Sequence, residues 1–257
     1  MKFLEGIMDS SQLQDSREFV TIVGAGGKTS TMYTLAKELK SRGKRVLVTT
    51  TTAIYHPEGK DYDQIFIGDK QELLNNYSEY TSNSDSGEIV IWARTIDSAG
   101  KLRGVSPEDL DEIWKKKRFS WILVEGDGAR GKNIKAPKEG EPVIPSKTTL
   151  LIGVIGMKIL DKSVEESSVH RLEHFADVTG ASKGDIISED ILRKLVLNKK
   201  GLFKATPEKG KIILLLNQCE DQDVQDRALV LANSLSIPYL VTSLQKQKLY
   251  GARKISK

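Results

Sequence analysis

The glycine-rich segment between Val23 and Ser30 constrains the fold of this chain more than any other feature. Residues 19–23 read FVTIV, an apolar and largely β-branched run that predicts a buried strand. The run is followed by GAGG and then by Lys28, Thr29 and Ser30, which open a helical pattern. A strand, a glycine turn and a helix in this order are typical of a loop whose N–H groups enclose phosphate.

The spacing of the glycines limits the kind of phosphate loop that is present. A standard loop reads G-x-x-x-x-G-K-[ST], and its first glycine would fall on Ile22. The chain instead has the shorter G-x-x-G-K-[ST] from Gly24 to Thr29, which is similar to the shortened loop of Mur-type ligases. The nicotinamide fingerprint fits less well, because it requires a glycine at Thr29. A glycine-rich turn with an incidental lysine is the structural alternative to phosphate binding.

Each residue type in the loop has a role in phosphate chemistry. We expect Lys28 to reach the β- and γ-phosphates of ATP or GTP, and the hydroxyl of Thr29 to hold Mg²⁺. Glycine is needed where the main chain approaches an anion or takes a positive φ. The residues expected to bind the nucleotide are Gly24, Ala25, Gly26, Gly27, Lys28, Thr29, Ser30, Thr51 and Asn217.

The composition excludes several other classes of protein. The net charge of +4 is dispersed along the 257 residues, so it gives no indication of a nucleic-acid partner. Cys219 is the single cysteine, which excludes a disulfide framework and a cysteine-based metal cluster. The N-terminal segment lacks the basic start of a signal peptide, and no apolar run reaches the roughly 20 residues of a membrane span. We therefore expect a cytoplasmic protein with no membrane partner.

Strand and helix patterns alternate along the chain. The predicted helices cover 29–41, 107–114, 188–196 and 224–235, and the predicted strands after the first cover 45–50, 63–67, 88–93, 120–124, 150–155, 211–216 and 238–241. This alternation predicts an α/β fold, a P-loop NTPase-like three-layer sandwich with a mainly parallel sheet. We expect a single domain over 1–257, in which 147–257 elaborate the same sheet or add a small lobe.

Polar residues follow the predicted strands at their carboxyl ends, where open parallel sheets bind ligands. Glu125 and Asp127 follow the strand 120–124, threonines that include Thr51 follow 45–50, and Asn217 follows 211–216. Because Mg²⁺ takes few protein ligands, Thr29 with Glu125 or Asp127 suffices to hold it. The other carboxylate is then free to orient or deprotonate a nucleophile, so the predicted catalytic set is Lys28, Glu125 and Asp127. An aspartate that caps a turn before glycine is the alternative for Asp127.

Two further groups of polar residues allow more than one interpretation. Arg130, Lys132 and Lys135 lie in a predicted long loop, where they either grip an anionic substrate or are solvated. Residues 217–220 read NQCE, a poor match to the N-K-x-D pattern that reads guanine, and a solvated turn is the alternative.

Another group of polar residues contains two histidines. His170 and His174 are four residues apart, which predicts one helix face, but no third ligand indicates zinc. Substrate contacts by a histidine or by Arg171 stay open beside the simpler interpretation of a surface helix with an internal ion pair.

Several motifs, taken in order, resemble those of one protein family. They are VGAGGKTS at 23–30, VTTTTAIYHP at 48–57, VEGDGARGKNIKAP at 124–137, EPVIP at 141–145, VHRLEHFADVTG at 169–180 and LLLNQ at 214–218. With these motifs the chain resembles the selenium-dependent hydroxylase accessory protein family (YqeC-like) over most of its length. One small departure is Gly126, where the pattern leads us to expect alanine between the two carboxylates.

The resemblance implies a phosphate-loop nucleotide-binding protein that serves the maturation of selenium-dependent molybdenum hydroxylases. Such a hydroxylase, or other maturation factors, would then be its protein partners. The Glu-Gly-x-Gly run at Glu125 is also similar to the magnesium-side motif of dethiobiotin-synthetase-type enzymes, which implies Mg²⁺ at this carboxylate.

Three functions are compatible with these residues. The first is Mg²⁺-dependent binding and hydrolysis of a nucleoside triphosphate. The second is a ligase or kinase of Mur-like type that uses ATP on a small anionic acceptor. The third is a carrier that binds a nucleotide or a cofactor phosphate without turnover. Phosphate release in the absence of an acceptor distinguishes the first from the other two.

Overall fold

The computed structural model describes residues 3–11, 17–57, 59, 61–77 and 86–253. The helices are α1 Phe3–Ser11, α2 Lys28–Lys40, α3 Lys70–Asn76, α4 Pro107–Lys115, α5 Leu172–Thr179, α6 Glu189–Leu197 and α7 Gln222–Asn233, with a 3₁₀ turn at Met157–Ile159. The strands are β1 Glu18–Gly24, β2 Arg45–Thr50, β3 Ala53–Tyr55, β4 Gln64–Ile67, β5 Glu88–Ala93, β6 Thr95–Ile96, β7 Lys101–Arg103, β8 Trp121–Glu125, β9 Ile134–Lys135, β10 Leu150–Gly156, β11 Val169–His170, β12 Lys211–Asn217, β13 Tyr239–Ser243 and β14 Lys248–Arg253.

A nine-stranded sheet organises the chain in the order β14-β13-β12-β10-β1-β8-β2-β5-β4. All neighbouring strands in it run parallel except β13 and β14, which are antiparallel. β1 lies between β10 and β8, so the strand that ends in the glycine loop pairs directly with the strand that ends in Glu125. The structure confirms a mixed α/β fold with a large, mainly parallel central sheet, consistent with the predicted sandwich.

Alternate residues of β1 face opposite sides of the sheet, which is covered by helices on both faces. Val20 and Ile22 pack in the same apolar cluster as Phe3 of α1 and Leu35 of α2. Residues on the other side of the strands pack against the remaining helices: Val23, Leu151 and Leu214 with α5, α6 and α7, and Phe19, Leu47 and Ile122 with α3 and α4. This arrangement places the glycine loop and the N-terminus of α2 at the carboxyl edge of the sheet.

Two small sheets lie beside the main one. β3, β7 and β6 form an antiparallel three-stranded sheet, and β9 pairs in parallel with β11. The segment 129–147, predicted as a loop without regular structure, therefore contains a short strand at Ile134–Lys135. From the predicted elaboration 147–257, strands β10, β12, β13 and β14 join the main sheet.

The helices of the described ranges are short. The longest, α2, has 13 residues. Within those ranges, no helix combines the length and the apolar character that crossing a bilayer requires.

Candidate functional site

The backbone of the glycine loop is anchored to β10 and to the segment that follows β8. The N–H of Ala25 donates to the carbonyl oxygen of Val154 at 2.9 Å, and the N–H of Gly24 donates to Oδ2 of Asp127 at 3.2 Å. By contrast, the N–H groups of residues 26–30 donate to no acceptor in the part of the chain that the structure describes. They precede or begin α2, so they carry the positive end of its dipole and are available to an anion.

Close packing requires glycine at positions of the loop that include Gly26 and Gly27. Gly26 has φ +90°, and a Cβ there would lie 2.2 Å from the nitrogen of Gly156. Gly27 has φ +128°, and a Cβ there would lie 2.3 Å from Nδ2 of Asn217. Both conformations disfavour a residue with a side chain, so the backbone approaches its neighbours as a phosphate-binding turn needs.

Lys28 places its amine among acceptors of the loop and of the strand beside it. The buried Nζ donates to the carbonyl oxygen of Gly24 at 2.8 Å. It also lies 3.6 Å from Oε1 of Glu125 and 3.4 Å from Oδ1 of Asp127. The structure therefore brings together the three residues predicted to be catalytic.

Glu125 is the last residue of β8 and pairs in register with Ile22 of β1. Its Oε2 accepts a hydrogen bond from the hydroxyl of Thr29 at 2.7 Å. Burial raises the pKa of Glu125, and the charge of Lys28 and the Thr29 hydrogen bond only partly oppose that effect. The charge of the nearby Asp127 raises this pKa further.

Asp127 has two oxygens in different surroundings. Oδ2 accepts from the N–H of Gly24 and forms an ion pair with Nζ of Lys135 at 2.9 Å. Oδ1 is buried and accepts no hydrogen bond from the described residues, although Lys28 lies nearby. A buried carboxylate oxygen without a hydrogen bond is unusual, because leaving such a group unpaired costs free energy.

The oxygens of Thr29, Glu125 and Asp127 fit the requirements of Mg²⁺. This ion prefers oxygen ligands and is held by one or two carboxylates, with its other positions taken by water and phosphate. The free Oδ1 of Asp127 is an acceptor that such an ion would satisfy. Within the described ranges, no group of three or more His, Cys, Asp or Glu side chains is arranged to hold a metal, so the hydroxyl and the phosphate would have to supply ligands.

A chain of buried charges extends from Asp127, and sequence reasoning did not find it. Nζ of Lys135 is fully buried, donates to the carbonyl oxygen of Gly128 at 2.8 Å and lies 3.1 Å from Oε2 of Glu141. Both guanidinium nitrogens of Arg171 donate to Glu141, NH2 at 2.6 Å from Oε1. Burial alone would raise the pKa of Glu141, but Arg171 and Lys135 outweigh it and lower that pKa to about 2.

Asn217 and Thr51 form hydrogen bonds with neighbouring groups of the protein. Nδ2 of Asn217 donates to the carbonyl oxygen of Gly26 at 2.9 Å, and its Oδ1 accepts from the N–H of Leu244 at 3.1 Å. The hydroxyl of Thr51 donates to the carbonyl oxygen of Val143 at 2.8 Å. In this arrangement Asn217 holds the glycine loop in place, and its contact with a base stays a prediction.

The two histidines do not share a helix face, so that prediction is wrong. His170 belongs to strand β11, whereas His174 lies in the first turn of α5. Arg171 between them takes a left-handed conformation, with φ 63° and ψ 68°, and this residue separates the strand from the helix. Burial lowers the pKa of His170 to about 4, and the positive charge of Arg171 acts in the same direction.

Two cavities flank the start of α2. We call the first, of about 680 Å³, the strand-end cavity; Tyr33, Lys158, Asn217, Gln218, Glu220 and Leu244 contribute to its lining. We call the second, of about 790 Å³, the loop cavity, which is lined by residues 26–30, 53–55 and 128–133 together with Lys101, Glu125 and Gln218. Thr29 and Ser30 line both, so the two cavities lie on either side of the free N–H groups.

A third cavity, of about 550 Å³, lies beyond the loop cavity. Arg130 and Lys132 line both of them. The other residues around it are Lys138, Glu166, Val169, His170, Arg171, Leu172, Glu173 and His174. We call it the basic cavity.

Comparisons with known proteins identify relatives of this chain. The model of the YqeC protein family matches residues 20–173, which include the glycine loop, both carboxylates and Arg171. A protein of Escherichia coli (strain K12), "Uncharacterized protein YqeC", is 33% identical over 239 residues, which cover 88% of this chain and 89% of the relative. The similarity therefore covers most of the chain.

Proposed function

The chain belongs to the YqeC protein family, and from that membership and the geometry of its glycine loop we propose that it binds a nucleoside triphosphate with Mg²⁺ and cleaves the terminal phosphate. One observation carries the proposal. The N–H groups of residues 26–30 are free to receive an anion, and the amine of Lys28 lies beside them between two buried carboxylates.

Different groups of the loop would contact different parts of the phosphate chain. The N–H groups of residues 26–30 would bind phosphate oxygens, because several such donors converge at the start of α2. Lys28 would exchange part of its contact with Asp127 for the β- and γ-phosphates. The phosphates would give the buried amine of Lys28 an anionic partner.

Thr29 and Asp127 would hold Mg²⁺, which leaves Glu125 to act on a proton. The ion would supply positive charge next to the phosphate oxygens. Glu125 is the better candidate for moving a proton, since its raised pKa brings it closer to neutral pH than an exposed glutamate. A water molecule or an acceptor hydroxyl in the loop cavity would lie next to this carboxylate.

The nucleoside, of ATP or GTP, would occupy the strand-end cavity. Two polar atoms at this cavity support the assignment, the hydroxyl of Tyr33 and Oε1 of Gln218, which are buried and find no hydrogen-bond partner among the described residues. Gln218 also takes a positive φ of 67°, a conformation uncommon outside glycine and often found at binding sites. Base edges and ribose hydroxyls would pair with such atoms.

A second candidate function is transfer of the phosphate to a small anionic acceptor, as in a kinase or ligase. The observation that favours it is the size of the loop cavity, which continues past Glu125 to Arg130 and Lys132. The coupling of either reaction to the maturation of selenium-dependent molybdenum hydroxylases is proposed from the resemblance of the motifs. A carrier without turnover is the third candidate.

Steady-state phosphate release by the purified protein tests the proposal. ATP and GTP are supplied with and without Mg²⁺, to the wild type, to Lys28→Ala and to the control Lys40→Ala, which alters a half-exposed lysine of the same helix. We expect Mg²⁺-dependent release that falls at least about 100-fold in Lys28→Ala and is unchanged in the control. Release only after an acceptor is added would favour transfer, and tight binding without any release would favour the carrier.

A further inference from the structure

The basic cavity carries an excess of positive charge. Four cationic side chains line it, Arg130, Lys132, Lys138 and Arg171, against the carboxylates of Glu166 and Glu173. Arg171 and Lys138 lie near Glu141, and Nζ of Lys132 donates to the carbonyl oxygen of Ser167 at 2.5 Å. The guanidinium of Arg130, in contrast, makes no hydrogen bond or ion pair with any residue that the structure describes.

The start of α5 adds hydrogen-bond donors to the same cavity. This helix has eight residues, and its N-cap, Arg171, forms no capping hydrogen bond through its side chain. The N–H groups of Leu172, Glu173 and His174 donate to no acceptor within the described ranges, and all three residues line the cavity. Free N–H groups beside several cations form an environment suited to an oxyanion.

Two arginines of the cavity have unusual backbone conformations. Arg130 has φ 48° and Arg171 has φ 63°, both in the left-handed region. A residue with a side chain reaches this region at a cost of about 1 kcal/mol or more, and such residues cluster at functional sites. Arg130 lies in the segment after β8, and Arg171 lies between β11 and α5. The two residues therefore reach the cavity from different parts of the chain.

The surroundings of His170 reflect the same positive charge. Its imidazole is half buried at the cavity, and burial is the largest cause of its lowered pKa. The charges of Arg171, Lys135 and Arg130 lower that pKa further, and Glu141 only partly opposes them. The ring is therefore neutral near pH 7 and leaves the positive potential to the lysines and arginines.

From these observations we propose that the basic cavity binds the phosphate group of a second substrate, a phosphorylated small molecule whose reacting end extends into the loop cavity. This inference rests on the proposed function, because the terminal phosphate of the nucleotide is expected in the loop cavity. Arg130 and Lys132 line both cavities, so the two cavities lie next to each other. A tetrahedral phosphate with three terminal oxygens suits converging guanidinium, ammonium and N–H donors better than a planar carboxylate does.

Histidine NMR on the full chain tests the second site without the nucleotide. The chain has three histidines, His56, His170 and His174, so their ring signals can be assigned by single substitutions. Inorganic phosphate is titrated at constant ionic strength, with chloride and acetate in parallel. We expect saturable shifts of the His170 and His174 signals with phosphate, weaker shifts with acetate, and none with chloride.

Three variants locate the bound phosphate. Arg130→Gln removes the unpaired cation and is expected to weaken phosphate binding at least about 10-fold. Arg193→Gln, a control on the exposed face of α6, leaves the phosphate-dependent shifts of the His170 and His174 signals unchanged. Lys28→Ala weakens phosphate binding at the glycine loop but keeps these two shifts. Lys138→Gln serves as a second variant if Arg130→Gln proves unfolded by circular dichroism.

The outcomes for the second site and for the proposed function can be told apart. Shifts that are lost in Lys28→Ala and kept in Arg130→Gln would mean that phosphate binds only the glycine loop, which would overturn the inference. Shifts equal in phosphate and chloride would overturn it as well. Because the titration contains no nucleotide, a failure of triphosphate binding in a separate assay would remove the proposed function and leave the phosphate site itself standing.

Discussion

The amine of Lys28 lies 3.4 Å from Oδ1 of Asp127, a buried oxygen that accepts no hydrogen bond from the described residues. The other oxygen of the same carboxylate accepts a hydrogen bond from the N–H of Gly24 and forms an ion pair with the amine of Lys135. Asp127 thus links the glycine loop to the chain of charges that continues through Glu141 to Arg171. Oδ2 of this aspartate stabilises the structure, and Oδ1 is available for a ligand.

Lys135→Ala should lower the free energy of unfolding by about 3–5 kcal/mol, because it leaves the buried Asp127 and the partly buried Glu141 without their shared cation. Urea unfolding followed by circular dichroism measures the change. The control Lys209→Ala removes an exposed lysine and should alter stability by less than about 0.5 kcal/mol. Equal effects of the two substitutions would contradict the structural role of Lys135.

Gly26→Ala should disrupt the loop, because the new Cβ would collide with the backbone nitrogen of Gly156 and φ +90° disfavours alanine. We expect a loss of about 1–3 kcal/mol in stability and a loss of triphosphate binding. Gly59→Ala is the matched control, since a Cβ there meets nothing within 4 Å. Thermal unfolding and a fluorescent triphosphate analogue measure the two effects. Normal binding by Gly26→Ala would show that the loop does not need this backbone shape.

Thr29→Val should raise the Mg²⁺ concentration for half-maximal nucleotide binding or turnover by about 10-fold, because it removes the hydroxyl that donates to Glu125 and is proposed to hold the ion. Thr29→Ser keeps the hydroxyl and should behave as the wild type. A titration with Mg²⁺ at fixed triphosphate concentration makes the comparison. An unchanged Mg²⁺ requirement in Thr29→Val would exclude this side chain from the metal site.

The Glu141 carboxylate should make the free energy of unfolding depend on pH below 4.5, the ordinary pKa of a glutamate. Its pKa is lowered to about 2 in the folded protein, so its contribution is complete above the ordinary value of 4.5 and is lost as the pH falls through about 2. The difference in unfolding free energy between the wild type and Glu141→Gln should therefore be constant from pH 7 to 4.5 and shrink below it. Urea unfolding at several pH values tests this, and a difference that grew with acidity would have the wrong sign.

Local signals in the sequence account for the parts of the structure that were predicted. The β-branched run before the glycines and the helical spacing after them identify β1 and α2, whose bounds differ from the prediction by one residue at each end of the helix. Glu125 and Asp127 were found because parallel strands bring their carboxyl ends to one edge. α3 was missed although Asp69 and Glu72 form a capping box, a signal that could have found it.

The buried charges could not be predicted, because burial of a lysine depends on partners that the fold supplies. Lys135 pairs with Glu141 six residues away, and Glu141 pairs with Arg171 another 30 residues on. In the sequence Lys135 and Glu141 lie in a segment rich in Gly, Pro and Lys that resembles a solvated loop, and Arg171 lies in a stretch interpreted as a surface helix. The error at His170 has a similar cause, since nothing in the sequence indicates that Arg171 takes a left-handed conformation and ends the strand there.

Amide NMR of the glycine loop tests the central claim most directly. A non-hydrolysable triphosphate is added with Mg²⁺ to the ¹⁵N-labelled, deuterated protein, and the N–H signals of residues 26–30 are followed beside those at the far end of α2. If these N–H groups enclose the phosphates, their signals shift downfield and saturate, whereas the signals near Lys40 stay in place. Triphosphate binding that leaves residues 26–30 unchanged, or no binding at all, would contradict the account.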